Sequence, residues 1–196
     1  MIPLFCCMKP HCSKFVFIYI LYKLILIIHY EKYLMKEVLR TSYKDWLSTK
    51  LFEDGVNFTF TVKQMVGSVK VDNLKLETNF KYFRNILNKK IFGNSFRRFG
   101  KQLKMLVVRE VSALQRLHLH TIIELPKHLD FKRFVYLIRL CWNKTLFGYG
   151  QIHIEKPSTQ LREEGWFHYI MKKKSKLDFG DSIDLENSSC LYLNGS

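Results

Sequence analysis

The chain has no CxxC pair, and its five cysteines, Cys6, Cys7, Cys12, Cys141 and Cys190, are scattered through 196 residues. That pattern excludes a disulfide framework, and a reducing cytoplasm is the expected setting. The spacing of Cys6, Cys7, His11 and Cys12 matches no common zinc site. Acidic residues are scarce: 17 Asp and Glu face 32 Lys and Arg, for a net charge of +15. The excess points to a polyanionic partner, most simply nucleic acid, although a basic-biased proteome produces the same balance. No apolar run reaches the roughly 20 residues of a membrane span. The longest, Phe15 to Ile28, is interrupted by Lys23, and no small-residue cleavage site follows it. Internal repeats are absent, as is any linker after residue 50. What is present is a chain 47% hydrophobic and 15% aromatic, which excludes disorder. Its length suits one domain with a proper core and short appendages.

Residues 1–34 stand apart as an apolar N-terminal segment. A mis-assigned start is the preferred reading, because Met35 opens an ordinary soluble sequence, Met-Lys-Glu-Val-Leu. A membrane anchor and a helix packed on the domain are the alternatives. A membrane partner is expected only if residues 15–28 are a real anchor. Residues 35–177 form the main domain, and residues 178–196 are read as a polar, loosely ordered tail.

Periodicity orders the main domain. Tyr33 to Leu51 reads as a helix and connector. Val56 to Lys63 alternates, with Val56, Phe58, Phe60 and Val62 on one face, and reads as a half-buried strand. Thr78 to about Lys90 carries Phe80, Phe83, Leu87 and Ile91 at helical spacing. Phe92 to Gly100 reads as a loop or frayed helix end with Arg97 and Arg98 exposed. Lys104 to Val111 and Leu117 to Leu125 read as strands joined by a turn at Ser112 to Arg116. Asp130 caps a helix carrying Phe131, Phe134, Val135, Ile138 and Trp142, which Gly148 is expected to stop. Tyr149 to Glu155 alternates as a fourth strand, and Glu163 to Lys176 reads as a last helix. The class is therefore α+β: a βαββαβ arrangement, an antiparallel sheet with helices on one face, plus a C-terminal helix. The apolar residues of each alternating strand face the helices, and the polar ones face out on the open side.

His118 and His120 stand at i and i+2 of a strand and so share one face. Two adjacent imidazoles suit a metal ion. Glu110 precedes His118 across the short turn, so the returning strand brings its carboxylate near both rings. Two His and one carboxylate make a hard, partly open site suited to Mg²⁺ or Mn²⁺. Glu124 shares the histidine face and competes for the third position, ranking second because Pro126 puts it at the strand end. Tyr169 lies on the last helix, with Lys172 and Lys173 a turn later on the same face.

These residues resemble the HUH endonucleases: rolling-circle replication initiators (Rep proteins), Y1 transposases and relaxases. Phe58-Thr59-Phe60-Thr61 is similar to their first motif, His118-Leu119-His120 to the HUH motif, and Tyr169-Ile170-Met171-Lys172 to the YxxK catalytic motif. Glu110 sits where single-tyrosine viral-type Reps place a third metal ligand. The resemblance spans about residues 55–176. No second tyrosine lies near Tyr169, so the one-tyrosine type is implied. No Walker motif is present, so any helicase is a separate host or partner protein, as is the polymerase.

The resemblance implies a metal-dependent DNA nickase that starts rolling-circle replication. Tyr169 would form a 5′-phosphotyrosine and release a 3′-OH, with Lys172 favouring the phenolate. Single-stranded DNA or a hairpin origin would lie over the open face, its phosphates met by Arg97, Arg98, Lys101, Lys173 and Lys174. A non-catalytic module binding single-stranded nucleic acid is the rival from another class. Thr59 and Thr61 stand against it, where such a module would stack aromatic rings.

Overall fold

The computed structural model describes residues 22–23, 25–28, 30–31, 34, 38, 52–112, 114–155 and 182–191. The chain divides into two compact units, Met1–Leu47 and Ser48–Ser196. The described residues of the first unit are helical, with Ile25, Leu26, Ile27 and Ile28 exposed. No helix among the described residues is long and apolar enough to cross a membrane.

Strict alternation builds the sheet of the second unit. In chain order the elements are β1 (Gly55–Val62), β2 (Met65–Val66), β3 (Val69–Lys70), α1 (Asn73–Phe92), α2 (Asn94–Phe99), β4 (Met105–Val111), β5 (Leu117–Glu124), α3 (Phe131–Trp142) and β6 (Gly148–Glu155). The fold is mixed α+β. Four strands pair antiparallel in the order β4-β5-β1-β6, and β2 and β3 make a separate small hairpin. Asp72 starts α1 by accepting from the Lys75 amide, and Asp130 starts α3 by accepting from the Arg133 amide.

The core lies on one face of the sheet. Val56, Phe58, Phe60 and Val62 of β1 are buried with Phe80, Phe83 and Leu87 of α1 and Phe134, Ile138 and Trp142 of α3. The Phe60 ring lies 4.8 Å from Trp142 and 5.3 Å from Phe83, centroid to centroid. Such ring pairs add about 0.5–1.5 kcal/mol each beyond their area. Two buried asparagines of α1 hold the loops at either end. Asn79 accepts from the Phe147 amide before β6, and Asn88 accepts from the Leu103 amide before β4.

Several expectations need correction. The helix α1 begins at Asn73, five residues earlier than the apolar spacing suggests, because its first turn is exposed and its start is set by the Asp72 cap. Between the glycines at 93 and 100, where a loop or frayed helix end was expected, the chain forms the separate short helix α2, with Arg97 and Arg98 exposed as expected. The β2–β3 hairpin escaped the sequence reading; its turn uses Gly67 in the left-handed region. Gly148 does not stop α3, which ends at Trp142. It begins β6 instead, where an added Cβ would fall on the Trp142 carbonyl oxygen. The last strand therefore closes on the helix end only with glycine there. The tail is not loosely ordered over residues 182–191, which dock along β4 and α1. The predicted helix at Glu163 to Lys176 lies outside the described residues.

Candidate metal centre

β5 is an inner strand, hydrogen-bonded on both sides, and it carries both histidines. His118 stands opposite Glu110 of β4 on one side and Thr61 of β1 on the other. His120 stands opposite Val108 and Thr59. Directly opposed residues share a face, so register alone gathers Glu110, His118, His120, Thr59 and Thr61 away from the helices. The β4–β5 turn that brings Glu110 back is closed by Ser112, whose amide bonds the Arg116 carbonyl and whose hydroxyl accepts from the Arg116 amide. At the same end the Gln64 side chain takes up both the amide and the carbonyl of Leu117, pinning the first residue of β5.

The three side chains converge. Nε2 of His120 lies 2.6 Å from Oε2 of Glu110, and Nε2 of His118 lies 3.4 Å from the same oxygen. The two rings are 4.9 Å apart at their centroids and nearly perpendicular. One ligand atom from each of Glu110, His118 and His120 falls within 4.8 Å of the others, so the group is able to hold a metal ion. His120 is almost wholly buried, while Glu110 and His118 are partly exposed, which leaves the cluster one wet side.

The far ring nitrogens fix which atoms face inward. Nδ1 of His118 lies 3.4 Å from the Arg116 carbonyl oxygen, which can only accept, so this contact is a hydrogen bond in the tautomer with the hydrogen on Nδ1. Nδ1 of His120 lies 3.0 Å from Oγ1 of Thr59. When that nitrogen donates to the hydroxyl, Nε2 of His120 faces the Glu110 carboxylate without a hydrogen of its own, and the 2.6 Å contact calls for a metal ion or a proton between them. This is the tautomer a ligating imidazole needs, with a neighbouring acceptor orienting it. The same atoms also accept protons, giving imidazolium–carboxylate pairs, so proton and metal compete for one position.

Other expected residues lie elsewhere. Glu124 sits at the opposite end of β5, opposite Gly55, and its carboxylate accepts from the Glu53 amide. Arg97, Arg98 and Lys101 lead into β4 at its Met105 end, whereas Glu110 is near the other end, roughly 17 Å along the strand. Lys101 stands over the Phe92 ring. The structure does not bring these cations to the cluster. Tyr169, Lys172, Lys173 and Lys174 lie outside the described residues.

The histidine face is also less open than expected. Leu106, Val108 and Ile122, all on that face, are buried. The exposed residues of that face lie on β6, at Tyr149, Gln151, His153 and Glu155, while Thr59, Thr61, Glu110 and His118 are partly exposed. Thr59 had been placed on this face from alternation, but its bond to His120 follows only from the β1–β5 register, which no local signal in the sequence specifies. No protein-family model, curated protein or solved structure matches the chain.

Proposed function

We propose that the chain is a metal-dependent DNA-nicking and strand-transfer endonuclease of the HUH type, acting in rolling-circle replication through a tyrosine nucleophile. The observation that carries this reading is the Glu110–His118–His120 cluster on the sheet face turned away from the helices. Supporting it is the element order, in which the long elements run strand, helix, strand, strand, helix, strand. The basic charge suits a phosphodiester substrate.

His118, His120 and Glu110 would hold Mg²⁺ or Mn²⁺, and Thr59 would keep the His120 ring in its ligating orientation. When bound, the ion supplies Lewis-acid stabilisation of charge on the scissile phosphate. Tyr169 would attack phosphorus, forming a tyrosyl ester as the bond to the 3′-oxygen breaks and the 3′-OH leaves. A free phenol has a pKa near 10; Lys172, three residues on in the sequence, would favour the phenolate. The ester conserves the bond energy, so the reverse attack by a 3′-OH rejoins DNA without ATP. Transposase and relaxase chemistry uses the same parts and differs in the DNA served.

The test is covalent capture. The full chain is incubated with Mn²⁺ and a 3′-labelled single-stranded DNA library that includes hairpins flanking its coding sequence. An SDS-stable labelled adduct is expected, lost in Tyr169→Phe and in the double variant His118→Ala, His120→Ala. An adduct that survives Tyr169→Phe refutes the nucleophile. DNA binding with no metal-dependent adduct favours the non-catalytic module.

A further inference from the structure

β4 is the outermost strand of its sheet, and Glu110 is the only member of the cluster on it. The histidines are held by ladders on both sides, whereas among the described residues β4 has a ladder on one side only. An outer strand presents a row of open amides and carbonyls. Here residues 182–191 fill that row. Ser189 Oγ accepts from the Met105 amide at 3.1 Å and donates to the Leu103 carbonyl at 2.6 Å. Ser188 Oγ accepts from the Val107 amide at 3.0 Å. The Asp184 amide donates to the Val107 carbonyl at 2.9 Å, and Ile183 bridges Val108. Ser182, Ile183, Asp184, Asn187, Ser188, Ser189 and Cys190 are all buried.

The strap is tied to α1 as well. Asn187 Nδ2 donates to the Glu77 carbonyl and to the Asp184 carboxylate. Arg84 donates to the Glu186 carbonyl, and Lys81 pairs with the Glu186 carboxylate. Arg109, the residue before Glu110, reaches both Glu77 and the Ile183 carbonyl. These fastenings on β4 fall on Met105 to Arg109, the stretch that leads into Glu110.

We infer that residues 182–191 are a positioning strap for the metal centre, in which Ser188 and Ser189 stand in for a neighbouring strand and hold Glu110 against His118 and His120. This rests on the metal-site reading proposed above. A metal ligand held loosely by about 1 Å loses much of its affinity, so the backbone supporting it sets the affinity. A strap that served only to cover the sheet edge would change stability and leave metal affinity alone.

The test compares Mn²⁺ affinity, by electron paramagnetic resonance titration, in the wild type, in the double variant Ser188→Ala, Ser189→Ala, and in Leu137→Ala, a control that loosens α3 far from β4. Hydrogen exchange at the Met105 and Val107 amides reports whether the strap is released. Release with roughly tenfold weaker Mn²⁺ binding is expected, against unchanged affinity in Leu137→Ala at similar loss of Tm. If the serine variant does not fold, Lys81→Ala with Arg84→Ala loosens the strap from the α1 side, and a smaller fall in affinity is expected. Wild-type affinity with a released strap overturns the inference and leaves the metal site standing. If the wild type binds no Mn²⁺, the metal reading and the strap inference fall together.

Discussion

The two faces of the sheet are built from the same strands yet do opposite work. On β1, Phe58 and Phe60 enter a dry aromatic core, while Thr59 and Thr61 turn toward the histidines. The first face is held by area and shape, and any hydrophobic group of the right size serves part of its purpose. The second is held by a few directed contacts around one carboxylate oxygen, where removing a single atom matters. On β1, aromatic packing and the directed contacts to the histidines are thus separated by strand parity. Damage to the two faces should have different signatures.

The largest expected effect belongs to the core. Trp142 is fully buried among Phe60, Phe80 and Phe83, and its indole N–H donates to the Thr61 carbonyl. Trp142→Ala should cost about 3–5 kcal/mol in urea unfolding, and metal binding should fall only as the folded fraction falls. If metal binding vanished while the protein stayed folded, the separation of the faces would be wrong.

The site face should behave in reverse. Thr59→Val keeps the shape but removes the hydroxyl that hydrogen-bonds His120 Nδ1. Loss of such an orienting partner typically weakens metal binding 10- to 100-fold, while Tm should move by only a few degrees. Equal Mn²⁺ affinity by calorimetry would remove Thr59 from the site.

A smaller effect concerns the strap. Burial pushes the Asp184 carboxyl up from its usual range, opposed by its bonds to Asn187. The folded state therefore holds its proton more tightly than the unfolded state, so this group's contribution grows as pH falls from 7 and is lost as pH rises through the folded pKa. Asp184→Asn has no such proton. The Tm of the wild type relative to Asp184→Asn should rise between pH 7 and pH 4; a constant difference would show that Asp184 titrates normally.

The smallest effect is expected at Arg97 and Arg98. Replacing both with alanine should leave Tm and Mn²⁺ affinity unchanged, because they are exposed on α2, which leads into the end of β4 remote from Glu110. A metal-binding defect there would contradict that placement.

Much of this was legible in the sequence, for physical reasons. Alternation gave the faces of β1, β5 and β6, and the short Ser112–Arg116 turn left little freedom in how Glu110 returns to His118. The Asp130 cap was readable because an apolar helical stripe follows it. Other features depend on what lies across space. Ser188 and Ser189 read as tail residues by composition, and only the open edge of β4 gives their hydroxyls a role. Gly148 reads as a helix stop, but its function is a close approach to the Trp142 carbonyl. Arg97, Arg98 and Lys101 are expected from charge to meet DNA phosphates, and charge alone carries no information about which end of a strand they reach.

The central claim is that Glu110, His118 and His120 form one metal centre. The most direct measurement is a Mn²⁺ titration of the folded full chain, wild type against the double variant His118→Ala, His120→Ala, with circular dichroism to confirm that both are folded. The account requires one Mn²⁺ per wild-type chain, displaced as pH falls, and none at that site in the variant. A wild type that binds no Mn²⁺, or a folded variant that binds it equally well, would contradict the account.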